Sequence, residues 1–125
     1  MDRVPVLKLG DLLIVSIQID LQDQSVLALQ EDLADKVVET GARGVIIDIT
    51  AVEIVDSFIG RMLSTIASIT RMLDAETIVV GMRPAVAITL VELGLSLGGV
   101  RTALNLEKGV ALLNHLDGAR AVTAR

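Results

Sequence analysis

Short runs of β-branched and aliphatic residues alternate along the chain with longer segments whose apolar positions recur every three to four residues, the pattern of an α/β layer fold. VPVLKL (4 to 9) and LLIVSIQI (12 to 19) flank Gly10-Asp11, a two-residue hairpin signal that predicts antiparallel neighbours. From about Gln24 to Thr40 the spacing turns helical. Val26, Leu29, Leu33 and Val37 form an inward stripe, Gln30, Glu31, Asp35 and Glu39 face water, and Asp32 with Lys36 makes a supporting i,i+4 pair. Gly41 is placed to cap this helix.

GVIIDI (44 to 49) is apolar on both faces except for Asp48, which predicts a central strand covered on both sides. After TAVEIV a second helix starts at Asp56-Ser57 and runs to about Asp74, and TIVVGM (77 to 82) is the next buried strand. Pro84 suits the first turn of a third helix, which Gly94 ends. Val100 to Leu104 reads as a last short strand, Asn105 as the cap of a final helix through Leu116, and residues 118 to 125 as a frayed tail. The expected whole is a single domain of order ββαβαβαβα, a mixed, mostly parallel β-sheet with packed helices and right-handed crossovers.

Composition narrows the function. At 125 residues the chain buries roughly two-thirds of its unfolded surface and needs no staple. It has one Phe and no Tyr or Trp, so stacking on bases, flavins or sugars is nearly closed to it. A net charge of −5 is opposite in sign to what a phosphate backbone attracts. The absence of Cys removes disulfides, thiolate metal ligands and Cys nucleophiles, and fits a reducing cytoplasm. A single His, His115, gives no basis for a multi-His metal site. No apolar run approaches the ~18 residues of a membrane span, and MDRVPVLKLGD has no long apolar signal core. Nucleic acid, membrane insertion and most enzyme classes are disfavoured, and no metal or cofactor is expected.

The most informative segment is DITAVEIVDSFIGR (48 to 61). It sets the polar pair Asp56-Ser57 between a buried strand and a helix, where free backbone N–H groups and the helix dipole favour a cap or an anion. Either residue could simply cap the helix; alternatively Ser57 stands exposed and accepts a phosphoryl group. Spacing leaves both open.

The segment resembles the signature of STAS domains, the fold of anti-sigma factor antagonists: an Asp-x-Ser/Thr-x-Val stretch followed shortly by Asp-Ser. Asp48, Thr50 and Val52 match the first part and Asp56-Ser57 the second, which implies that Ser57 is the phosphorylated position, with Asp48, Asp56 and Phe58 as its neighbours. Simple antagonists continue Asp-Ser-Ser-Gly, whereas this chain reads Asp-Ser-Phe-Ile-Gly. With VGMRPAVAITLVELGLSLGGV (80 to 100), that makes it more similar to the stressosome branch of the family. The resemblance implies a non-enzymatic cytoplasmic scaffold that self-associates and assembles with longer STAS-containing paralogues. It further implies a serine kinase of the histidine-kinase-like ATPase superfamily, sequestered until it phosphorylates the scaffold, and a metal-dependent phosphatase that resets it.

On the second helix Arg61, Ser64, Thr65, Ser68 and Arg71 share one face while Ile59, Leu63, Ile66, Ile69 and Leu73 supply the inward side. Short hydroxyls between two arginines lose little entropy when covered, so this face, with Val52, Ile54 and Val55 of the preceding loop, is the candidate partner-binding end; a merely solvated face is the plain alternative. Asp20 and Asp48 match the acids of phospho-receivers only loosely, since Lys8, Lys36 and Lys108 do not end a late strand. Arg83-Pro84 suggests an anion clamp but is expected in solvent, GLSLGGV lacks phosphate-loop spacing, and His115 is expected near a helix end. Two rival functions remain: a small-ligand-binding or transporter-associated STAS module, and a small enzyme using Asp48, Asp56 and Ser57, which would lack a base to activate the serine.

Overall fold

The computed structural model describes residues 4–18, 23–53, 56–94 and 100–123. The elements are β1 (Val6–Leu9), β2 (Leu12–Ser16), α1 (Asp23–Thr40), β3 (Gly44–Asp48), α2 (Ser57–Met72), β4 (Glu76–Val80), α3 (Pro84–Glu92), β5 (Arg101–Ala103) and α4 (Leu106–Thr123). This is the anticipated ββαβαβαβα order. The Gly10-Asp11 turn sets β1 antiparallel to β2, pairing Val6 with Val15 and Leu9 with Leu12. The other three pairings are parallel, and the sheet order is the chain order, β1-β2-β3-β4-β5.

Each crossover therefore steps one strand in the same direction, and crossovers of one hand must lay their helices on one face. Leu13, Val15 and Ile17, Val45, Ile47 and Ile49, and Val79 pack there against Val26, Leu29, Leu33 and Val37 of α1, Met62, Leu63 and Ile66 of α2, and Val86 and Leu90 of α3. The alternate residues Leu12, Ile46, Ile78 and Val80 face the other way, against Leu113 of α4. Covered from both sides, Val45, Ile46 and Ile47 are fully buried, which is why β3 is apolar in sequence on both faces. Close approach of α4 depends on Gly109, where a Cβ would lie 2.9 Å from a Val80 methyl.

Several boundaries differ from the sequence expectation. The strands stop at Ser16, Asp48, Val80 and Ala103, which the register aligns along one edge of the sheet. Single main-chain bonds continue the ladder beyond them: Ile17 N to Asp48 O, Ile49 N to Val80 O and Gly81 N to Leu104 O. α2 ends at Met72 rather than Asp74 and is rotated from the expected stripe: Met62, Ala67 and Thr70 are buried, while Ile59, Ile69 and Leu73 are half-buried. Thr70 can turn inward because its hydroxyl is satisfied, donating to Ala67 O at 3.1 Å and lying 2.6 Å from Thr77 Oγ1. The final helix does not stop at Leu116; it runs to Thr123, through a stretch without proline. His115 is thus exposed within α4 rather than near its end. Lys36 stands 3.9 Å from Glu39, one turn along α1.

At the N-terminal ends of the parallel strands, Arg43 ties the elements together. Its Nε donates to Asp11 Oδ2 and its Nη2 to Asn114 Oδ1 at 2.6 Å. Its backbone joins Asp11 O and Glu76 N. The hydrogen bond from Arg43 holds the Asp11 carboxyl below its ordinary pKa.

Candidate functional site

The loop between β3 and α2 lies at the carboxyl ends of the parallel strands, where α/β sheets usually carry their sites. Asp48, last in β3, folds its carboxylate onto that loop: Oδ1 accepts from Thr50 N at 2.8 Å and Thr50 Oγ1 at 2.6 Å. Val52 N donates to Ile49 O at 2.9 Å, closing the turn. Gly81 lies directly beneath; a Cβ there would sit 2.0 Å from Thr50 Oγ1 and 3.0 Å from Asp48 Oδ1, and φ is +75°. Arg83 is solvent-exposed, as its sequence context suggests, yet it reaches back to the loop. Its Nε donates to Thr50 O at 2.9 Å and its Nη1 stands 3.9 Å from Glu53, so it fastens the loop.

At the start of α2 the division of labour between Asp56 and Ser57 is resolved. Asp56 is extended (φ −123°, ψ −177°) and its Oδ1 accepts the N–H of Ile59 at 3.0 Å, the geometry of a helix N-cap. With that role filled, Ser57 is the first helical residue and is exposed. Its Oγ accepts from Arg61 Nη2 at 3.4 Å, one turn along the same face. Phe58 and Val52 are half-buried and pack on the main core, steadying both sides of the loop. Ile54 and Val55 lie outside the described residues, as does Asp20. Asp48 therefore acts on Thr50, and Asp56 is the acid set beside Ser57.

Along the outer face of α2, Arg61, Thr65, Ser68 and Arg71 are exposed and Ser64 is half-buried. Ser68 returns its hydroxyl to Ser64 O at 3.1 Å. Arg71, in the last turn, complements the helix dipole. The face thus presents two guanidinium groups separated by small side chains. A surface groove of about 330 Å³ lies elsewhere, between Val4, Pro5 and Val6 and the α1 side chains Asp32, Asp35, Lys36 and Glu39. Among the described residues no cluster of His, Cys, Asp or Glu could hold a metal ion, and no helix is long and apolar enough to cross a membrane.

The pattern of the STAS domain matches residues 3–108. The chain belongs to the STAS domain family. Within that family it is similar to Moorella thermoacetica RsbS, solved with a serine-to-glutamate substitution: TM-score 0.78 and 42% identity, covering 91% of this chain and 97% of that one. A chain from the solved molecular architecture of the stressosome, a signal integration and transduction hub, superposes with TM-score 0.78 at 43% identity, covering 90% of this chain and 98% of its own. The RsbT co-antagonist protein RsbRA of Bacillus subtilis is 30% identical over 95 residues, 76% of this STAS chain but 35% of RsbRA. The chain therefore spans about a third of that curated relative.

Two site residues escaped the sequence. Arg83 and Gly81 both serve the β3–α2 loop from the far side of β4, 33 and 31 residues beyond Thr50. The Ser57–Arg61 contact did leave a signal, an i,i+4 spacing on one helix face.

Proposed function

We propose that this STAS domain is a non-enzymatic stressosome scaffold of the RsbS type, cytoplasmic, switched by phosphorylation of Ser57. The observation that carries the proposal is the capping geometry: Asp56 takes the cap position and leaves an exposed hydroxyl in the first turn of α2. The likeness to RsbS and to a stressosome chain extends over nine-tenths of the sequence, and the RsbS structure carries a serine-to-glutamate substitution, which replaces a hydroxyl with a charge.

In this proposal the chain assembles with itself and with longer scaffolds of the RsbR type, and holds a serine kinase of the RsbT type. The kinase transfers the γ-phosphoryl group of ATP: Ser57 Oγ bonds to the γ-phosphorus, the bond to ADP breaks, and the hydroxyl proton passes to a base of the kinase. The product carries about −1.5 to −2 charge on a surface that was neutral at that atom. Placed beside Asp56 and at one end of the Arg61, Ser64, Thr65, Ser68 and Arg71 face, it opposes a desolvated partner. A coupling of about 1–3 kcal/mol, roughly 5- to 150-fold in affinity, suffices for release. A phosphatase of the RsbX type restores the hydroxyl by hydrolysis.

The alternative, a small-ligand-binding or transporter-associated STAS module, would need an apolar enclosure. The surface groove against α1 sets Val4, Pro5 and Val6 against the charged side chains Asp32, Asp35, Lys36 and Glu39, so it offers a small hydrophobic molecule one apolar wall rather than an enclosure. The test is to co-purify the chain with the products of its neighbouring genes, add ATP and map phosphorylation by peptide mass. One phosphate on Ser57, lost in Ser57→Ala, supports the proposal; phosphorylation that persists in Ser57→Ala places the acceptor elsewhere.

A further inference from the structure

We propose that Arg61 is the intramolecular counter-ion of phosphorylated Ser57, so that modification both adds a dianion and withdraws a cation from the outer face of α2. The inference rests on Ser57 being the acceptor and deepens that reading by naming the residue that receives the charge. Arg61 Nη2 already donates to Ser57 Oγ, at 3.4 Å, a long bond to a neutral hydroxyl. Both side chains are exposed. Replacing the hydroxyl with a phosphate supplies three strong acceptor oxygens, and a guanidinium fork matches such a group in two parallel hydrogen bonds.

The surroundings favour Arg61 as the counter-ion. Asp56, next to Ser57, cannot turn away without giving up the cap bond to Ile59 N, so its carboxylate remains beside the new charge. Arg83 is spent on Thr50 O and lies near Glu53. Arg71 lies about 21 Å further along the helix axis than Ser57 at 1.5 Å per residue. Arg61 is the cation of α2 that stands one turn from the acceptor. Drawn onto the phosphate, it no longer offers its charge to a partner, and an acidic partner surface loses an attraction at the moment it meets a repulsion.

The test installs phosphoserine at position 57 of the full chain by codon suppression, without any kinase, and follows the second ionisation of the phosphate by 31P NMR at low ionic strength. An unperturbed phosphoserine has a second pKa near 6. Arg61→Gln should raise the measured value by about 0.3 to 0.7, the size expected of an exposed pair, and Arg61→Lys should restore part of the difference. Arg71→Gln, an equal change in net charge at the far end of the helix, should leave it unmoved. Equal values for Arg61→Gln and Arg71→Gln would overturn the proposal. Because the phosphate is placed synthetically, a kinase that chose another acceptor would refute the functional reading while leaving this result to stand or fall separately.

Discussion

Arg83 Nε donates to the carbonyl oxygen of Thr50 at 2.9 Å, joining the residue before α3 to the turn that follows β3. Asp48 holds the same turn from the β3 side and Gly81 makes room for it from β4. The loop that delivers Ser57 is thus fastened by neighbouring strand ends and the start of α3 as well as by its own turn.

That packing sets a measurable cost at Gly81. Gly81→Ala forces a left-handed φ on an L-residue, about 1–2 kcal/mol, and drives a methyl into Thr50 Oγ1, for which overpacking adds roughly 1–3 kcal/mol. Gly10→Ala is the control, since Gly10 has φ +60° but nothing within 4 Å of the added Cβ. Urea unfolding should show Gly81→Ala less stable than Gly10→Ala by at least about 1 kcal/mol. Equal losses would mean that the Thr50 contact does not constrain the loop.

Asp56 should behave as a cap independently of any signalling role. Asp56→Ala is expected to lower stability by about 1 kcal/mol, and Asp56→Ser or Asp56→Asn should recover most of it. Thermal unfolding resolves this difference as a shift of several degrees, about 2–8 °C for a domain near this size. An Asp56→Ala variant with unchanged midpoint would show that the bond to Ile59 N carries no stability.

The layer order, hairpin, parallel crossovers and Asn105 cap were legible in the sequence because each rests on local chemistry: a Gly-Asp turn, alternating apolar runs, and an oxygen three residues before the amide it accepts, as in Lys108 N to Asn105 Oδ1 at 2.9 Å. A cap at Asp56 or Ser57 was legible too, but the choice of Asp56 came from the structure. What was not legible depends on distant partners. Thr70 reads as polar, yet it is buried because Thr77 lies across from it. Arg83 is solvent-exposed as it reads, but nothing nearby in sequence predicts its bond to the carbonyl of Thr50. Helix α4 reads as ending at Leu116 because its apolar spacing fades there, yet it continues to Thr123.

The Asp11–Arg43 contact gives a pH dependence with a definite sign. The hydrogen bond from Arg43 depresses the folded-state pKa of Asp11 below its ordinary value of 3.8. The ionised pair then contributes stability above that value and loses it as pH falls through the folded pKa. An NMR titration should place the Asp11 midpoint below 3.8, and Arg43→Gln should move it upward. The stability difference between the native chain and Asp11→Asn should shrink as the solution is acidified through this range. A midpoint unmoved by Arg43→Gln would assign the depression to another cause.

If charge at Ser57 releases a partner held at the α2 end of the domain, a titration of labelled RsbT-type kinase against four forms at two salt concentrations will show it. The unmodified chain and Ser57→Ala should bind equally, because alanine removes the acceptor without adding charge. Ser57→Asp should bind more weakly, and the phosphorylated chain weakest, since one carboxylate supplies about half the charge of a phosphoserine and fewer acceptor oxygens. The loss on phosphorylation should fall between roughly 5- and 150-fold and diminish at the higher salt. Equal affinity for the unmodified and phosphorylated chains would contradict the account, even with Ser57 established as the phosphorylated residue.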